Sequence, residues 1–265
     1  MSEPIHIGTS GWSYDDWVGP FYPQGTPARD FLATYAERFE VVEVDSTYYR
    51  VPAARMVQGW VERTPGHFRF ALKAPSEITH KKILHNADAD ASTFFDAIEP
   101  LGARTLCVLL QFGYFNRKIF TSAGPFFERL DAFLGEFAGR VPLAVEIRNK
   151  NWLTADYFDL LRRHKVVAAL VEHSWLPPVN ALIEEHDAVT GPFAYVRLIG
   201  DRSGIEMITK TWEKTVVDRT SDIRRVARAL RTIAQRVPVY TFANNHYAGH
   251  GPDTCRQLRE ALDET

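Results

Sequence analysis

Short apolar runs alternate with longer amphipathic stretches from one end of the chain to the other. The runs occupy residues 5–12, 41–47, 68–74, 105–111, 143–148, 166–172, 193–199 and 239–244. Runs this short and this apolar suit parallel strands buried on both faces. Between most of them a helical period covers residues 28–39, 53–63, 89–99, 124–137, 155–163 and 221–236, with 252–262 closing the chain. Thr154 and Ser221 are N-cap candidates, and Pro252 suits a first helical position. Eight strands with crossover helices predict an α/β chain, a single (β/α)8 barrel of the TIM type over residues 1–265. An open doubly wound sheet lacks support, because no Gly-x-Gly-x-x-Gly turn follows the first run. Connections 173–191 and 200–220 are long and carry no clear period. They leave the C-terminal ends of strands six and seven, the end where barrel enzymes keep their sites.

Those strand ends are unusually polar. Glu43 and Asp45 share one face of the second strand by period two, and Glu146 and Arg148 share one face of the fifth. Lys73, Gln111, Glu172, Arg197, Asn244 and Asn245 stand at the ends of the third, fourth, sixth, seventh and eighth. A charge inside a barrel is costly unless paired or hydrogen-bonded, so these groups either satisfy one another or meet a ligand. A structural pair such as Glu43 with Lys73 is one expectation. A working site is the other, with Glu146, Lys73, Asp45 and Glu43 as its acid–base groups. Thr9, Ser10, Trp12, Tyr14, Tyr49, His80, Gln111, Arg148, Trp152, Arg197, Asn244 and Asn245 are then its substrate-binding groups.

Aromatic residues crowd the same end: Trp12, Tyr14, Trp17, Phe21, Tyr22, Tyr48, Tyr49, Trp152, Trp175, Trp212 and Tyr247. They read either as anchors for long loops or as a stacking wall for a sugar face or a nucleobase. Gly200–Gly204 and Gly249–Pro252 are glycine-bearing loops after strands seven and eight, the usual phosphate-binding place in such barrels. Arg197, Arg202, Arg148, Lys73, Lys81 and Lys82 would reinforce a positive pocket. His80, His173, His246 and His250 also fall in post-strand loops. No tight ligand spacing joins them, so no cofactor is expected and a divalent metal is the lesser alternative.

Composition narrows the field further. A net charge of −2 argues against a generally basic surface for nucleic acid or membrane. No run of about twenty apolar residues predicts a membrane span. Cys107 lies in an apolar run and Cys255 in the last helix, which suits a reducing, cytoplasmic setting.

Several motifs also carry a family resemblance. They are Gly8–Tyr14 with Trp17, Gly19 and Phe21-Tyr22-Pro23, then Val42–Tyr49 with Pro52. Trp60, Thr64-Pro65, Phe68-Arg69-Phe70, Lys73 and Ile78-Thr79-His80 follow. Val145–Arg148 with Trp152, Tyr195-Val196-Arg197 and Phe242–Asn245 complete the set. With these the chain resembles domain of unknown function 72, the YecE-like proteins. The resemblance implies a TIM-like barrel and a residue pattern, and imports no reaction. The chain departs from that pattern at Asp45, where Asn is common, and at Gly113-Tyr114, where a proline pair is common. It also has Asn149 and Ile199 where histidines are frequent, which shifts expected chemistry toward Glu146, Lys73 and Asp45. The leading expectation is an enzyme acting on a small anionic, polyhydroxylated substrate, with Glu146 as acid or base and Arg197 on the anion. A nucleic-acid or phosphodiesterase-type barrel, using Lys81, Lys82, Arg117, Lys118, Arg202 and Lys210, is the second. A barrel that binds a ligand without catalysis is the third.

Overall fold

The computed structural model describes residues 2–264, and its strands close into one all-parallel barrel in sequence order. The strands are β1 (Ile5–Ser10), β2 (Val41–Val44), β3 (Arg69–Lys73), β4 (Thr105–Gln111), β5 (Leu143–Glu146), β6 (Val167–Glu172), β7 (Ala194–Leu198) and β8 (Val239–Ala243). Closure is direct: β1 pairs with β8 from Ile5↔Val239 to Thr9↔Ala243. The helices are α1 (Phe31–Ala36), α2 (Ala54–Glu62), α3 (Asp88–Ile98), α4 (Gly124–Phe137) and α5 (Ala155–Arg163). They continue as α6 (Val179–Glu185), α7 (Arg202–Ile208), α8 (Thr220–Ala234), α9 (Asn245–Ala248) and α10 (Gly251–Asp263).

Period-two alternation divides the buried residues into two cores. Val42, Leu72, Val108, Val145 and Val196 face outward and pack with helix residues such as Phe126, Phe158 and Leu230. Val41, Ala71, Cys107, Leu109, Ala144, Tyr195 and Phe242 fill the barrel itself. The interior is therefore filled by apolar side chains at mid-height, and polar residues gather at the strand C-terminal end. Small side chains in that filling, Ala71 and Ala144, leave room for the larger Tyr195 and Phe242.

Three details differ from the sequence expectations. The two long connections are not structureless: α6 lies in the first and α7 in the second. Both helices are only seven residues long, too short for periodicity to reveal. Ser221 lies inside α8 rather than capping it, while Asp218 Oδ1 accepts from the Thr220 amide at 2.8 Å ahead of the helix. Pro252 does sit in the first turn of α10. Thr154 stands at the N-cap of α5, without a capping hydrogen bond from its side chain.

Gly8 marks where the barrel wall is tightest. A Cβ there would lie 2.2 Å from the carbonyl oxygen of Val41 on the neighbouring strand, so β1 and β2 approach closely only because Gly8 has none. Gly8→Ala should force these strands apart and lower stability by about 1–3 kcal/mol. Urea denaturation tests this, and an unchanged midpoint would show that the contact is easily relaxed.

Candidate functional site

At the strand C-terminal end, β2, β5 and β7 bring Glu43, Glu146 and Arg197 together at the floor of a cavity, with Arg197 reaching the lining and the two glutamates beneath it. Arg197 Nε donates to Glu43 Oε2 at 2.7 Å and its Nη2 donates to Glu43 Oε1 at 2.6 Å, a bidentate pair. Its Nη1 donates to Glu146 Oε2, also at 2.6 Å. The Tyr195 hydroxyl, one inward step before Arg197 on β7, donates to Glu43 Oε2 at 2.5 Å. Arg148 Nη2 lies 2.6 Å from Glu146 Oε1, close enough for an ion pair although the angle is not that of a hydrogen bond. The expected pair of Glu43 with Lys73 is corrected here, since Glu43 is taken by Arg197 and Tyr195.

Burial separates the four expected acid–base groups into two kinds. Glu43 and Glu146 are fully buried and sealed under the cavity, so neither can touch a substrate. Asp45 and Lys73 line the cavity itself. Burial alone would push the Glu146 carboxyl up, but Arg148 and Arg197, with Lys73 beyond them, hold it at about 2. That is a fixed anion, not a proton carrier. Asp45 goes the other way: loss of water and the adjacent Glu43 raise it to about 6, against the pull of Arg197 and Lys73. Asp45 Oδ1 stands 3.9 Å from Arg197 Nη2 and has no hydrogen-bond partner among the described residues. Burial lowers the Lys73 ammonium, opposed by Asp45 and helped by Arg197. Its Nζ sits 4.4 Å from the centre of the Tyr48 ring.

The cavity above holds about 740 Å³, ample for a small ligand. Trp12, Tyr14, Tyr48, Tyr49, Trp175 and Trp212 form its aromatic rim. Tyr49 and Trp175 are 80% and 68% exposed, so their faces are open to a ligand rather than spent on packing. Gln111, Asn244 and Asn245 line the floor with Arg148 and Arg197. Asn245 Nδ2 and Arg148 Nε, on two of these lining residues, are buried polar atoms without partners among the described residues, as groups awaiting a ligand or water would be. Ser10, also expected to bind substrate, is buried outside the lining. On the β7–β8 side, Asn244 Oδ1 meets His246 Nδ1 at 2.7 Å and His246 Nε2 meets Glu206 Oε1 at 3.1 Å.

Other expected ligand contacts lie elsewhere, each for a packing reason. Thr9 is buried, its hydroxyl donating to the carbonyl of Gly11 at 2.7 Å and lying 2.9 Å from Tyr35 Oη. Trp152 stacks among Phe115 and Phe126 rather than in the cavity. His80 packs edge-on against Tyr48, behind the lining. Trp17, Phe21 and Tyr22 are loop anchors buried against Phe31, Tyr35 and Phe39. The Gly249–Pro252 loop is also displaced from its expected role. Its amides are already taken, Gly251 N by Asn245 Oδ1 at 2.8 Å and Asp253 N by His250 Nδ1 at 3.2 Å. Gly249 and Gly200 serve loop packing: a Cβ would meet Lys214 O at 2.7 Å and His246 O at 2.5 Å respectively.

Sequence reasoning missed Tyr195, Glu206 and Tyr114. Tyr195 was findable, because it shares the inward face of β7 with Arg197. Glu206 lies in the seven-residue α7 and Tyr114 in the loop after β4, and no period reports either. Among the described residues no three His, Cys, Asp or Glu side chains are grouped to hold a metal ion. Nor is any helix there long and apolar enough to cross a membrane.

Fold and site together define a (β/α)8 barrel with a charged, aromatic-rimmed cavity at the strand C-terminal end. The family model described as "Protein of unknown function DUF72" matches residues 6–265, and the chain belongs to that family. YecE of Escherichia coli K12 is 30% identical over 148 residues, 55% of this chain and 48% of YecE. YunF of Bacillus subtilis is 28% identical over 165 residues, 58% of this chain and 54% of YunF. The chain thus spans about half the length of the curated relatives it matches. The crystal structure of a DUF72 family protein from Thermotoga maritima superposes with a TM-score of 0.77 at 25% identity, covering 98% of this chain and all of that one.

The two carboxylates Glu146 and Asp45 give stability opposite pH dependences. Glu146, depressed from 4.5 to about 2, stabilises the fold when ionised, and this contribution disappears as pH falls from 4.5 toward 2. Asp45, raised from 3.8 to about 6, favours the fold when protonated, and that contribution is lost as pH climbs from 3.8 through 6. Glu146→Gln should cost about 3–5 kcal/mol at pH 7, because it strands buried arginine charge. Asp45→Asn should remove the loss between pH 4 and 6. Denaturant titrations across pH check both, and a wild-type-like Glu146→Gln would contradict the clamp.

Proposed function

We propose that the chain is an enzyme acting, at this barrel end, on a small anionic, polyhydroxylated substrate of sugar-phosphate type. The observation that carries the reading is the placement of Asp45 and Lys73 on a cavity that also presents Arg148 and Arg202. A carboxyl raised to about 6 is partly ionised near neutral pH, so Asp45 can both take and return a proton. Arg148, with its Nε unpartnered, and Arg202 would hold the anionic group. Asn245 and Asp45 would bond hydroxyls, while Trp12 and Tyr49 cover the apolar face of the sugar. Glu43, Glu146 and Arg197 act through position: they support Asp45 and Lys73 from below and set their charge.

A nucleic-acid ligand fits this surface less well. Lys81 pairs with Glu77 at 2.9 Å and Lys82 with Asp90 at 2.5 Å, which spends part of the expected basic face. A barrel that binds the same ligand without turning it over remains the third reading, and product analysis separates it from the first.

Thermal-shift screening of pentose and hexose phosphates tests the binding claim. At least one at ten times its Kd should raise the midpoint by about 3–6 °C. If none stabilises the wild type more than the Asp45→Asn, Arg148→Ala double variant, the reading fails.

A further inference from the structure

Most of the cationic groups around the cavity have an anionic partner; Lys73 has none. Arg197 is bound to Glu43 and Glu146, Arg148 lies against Glu146 and Arg202 against Glu206. Among the described residues Lys73 Nζ has neither hydrogen bond nor ion pair, and its near contact is the face of Tyr48. A lysine kept only for its charge would be expected to sit against a carboxylate. This one is partly buried at the end of β3, its amine open to the cavity, with the Arg197 guanidinium among the charges facing it. The groups that act on it are Asp45, Glu43, Glu146 and Arg197, with Tyr48 and His80 beside the turn that follows β3. Desolvation and a neighbouring cation are the two conditions that free a lysine amine to act as a nucleophile. Asp45, with an unpartnered oxygen on the same cavity, supplies the proton carrier such chemistry needs.

We infer that Lys73 is a covalent nucleophile that condenses with the carbonyl group of an open-chain sugar or keto acid to form a Schiff base. This rests on the sugar-phosphate reading above and adds a reaction class to it. The Nζ lone pair forms a bond to the carbonyl carbon while the C=O π pair moves to oxygen, which takes a proton from the Asp45 carboxyl. The nitrogen then returns a proton to the Asp45 carboxylate, giving a neutral carbinolamine. Asp45 protonates the hydroxyl, which leaves as water as the nitrogen lone pair closes the C=N bond. The product is a protonated imine and an ionised Asp45, with one water released and no oxidant or reductant required. That imine withdraws electrons from the adjacent carbon, so Asp45 is placed to remove a proton there.

Reductive trapping tests the inference in two arms. In the first, the intact protein is incubated at pH 7 with dihydroxyacetone phosphate or D-glyceraldehyde 3-phosphate and cyanoborohydride, then digested for mass spectrometry. A single adduct on the peptide carrying Lys73, absent in Lys73→Arg, is expected. The second arm needs no recognised substrate: formaldehyde with cyanoborohydride should methylate Lys73 at least tenfold faster than the exposed Lys118 and Lys150. Labelling that follows exposure, with Lys73 among the slowest in the formaldehyde arm, overturns the nucleophile whatever the first arm shows. Thermal stabilisation by sugar phosphates without a Lys73 adduct would refute the Schiff base and leave the substrate class standing. Loss of both would remove the two together. Should Lys73→Arg fail to fold, the wild-type rates decide the matter alone.

Discussion

A guanidinium sealed inside a barrel survives only if its charge is matched, and Arg197 is matched by Glu43 through two hydrogen bonds and by Glu146 through a third. Buried ion clusters of this kind are poor sources of net stability, since desolvating the ions offsets most of the attraction. Their effect is to fix position. With Tyr195 as a further donor, the cluster closes the top of the apolar filling and provides a rigid, charge-balanced floor. Two cations, Arg148 and Arg197, stand there against two carboxylates, Glu43 and Glu146. Above that floor Asp45 and Lys73 titrate on the cavity, with His173 and His246 also in its lining. Every functional statement about this molecule depends on that division between a fixed layer and a titrating one.

The division also explains the spread of pKa values among chemically alike groups. Glu146 and Asp45 are both carboxylates of the same cluster, yet one is held at about 2 and the other raised to about 6. Arginine contact on both oxygens makes the first a permanent anion. Loss of water and proximity to Glu43 make the second a proton carrier. Two carboxyls pushed apart in this way mark an acid–base site more clearly than either would alone.

The fold was legible in the chain because parallel strands buried on both faces leave short apolar runs, and eight of them alternate here with helical stretches as a closed barrel requires. The strand cores, β4 among them, and the helices α4 and α5 follow the periodicity closely. The convergence of Glu43, Glu146, Arg148 and Arg197 was also legible, since period two places each on an inward face at a strand end. What alternation cannot report is depth. Glu43 and Asp45 share a face, but one is beneath the floor and the other on it. The aromatic rim was half legible for a similar reason: Trp12 and Trp17 look alike in sequence, and only packing against Phe21, Tyr22 and His250 removes the second from the cavity. The glycine loop before α10 resembled an anion site because glycine permits close approach, and here the close approach is made by Lys214 and Val216 instead.

The separation of fixed and titrating charge is open to direct observation. Aspartate labelled with carbon-13 at the γ position allows the Asp45 carboxyl to be followed by NMR across pH, with Asp45→Asn identifying its signal. A midpoint near 6 is expected for this group. An ordinary midpoint near 3.9 would mean that Asp45 does not feel Glu43 or the loss of water, and the layered account of this site would be wrong.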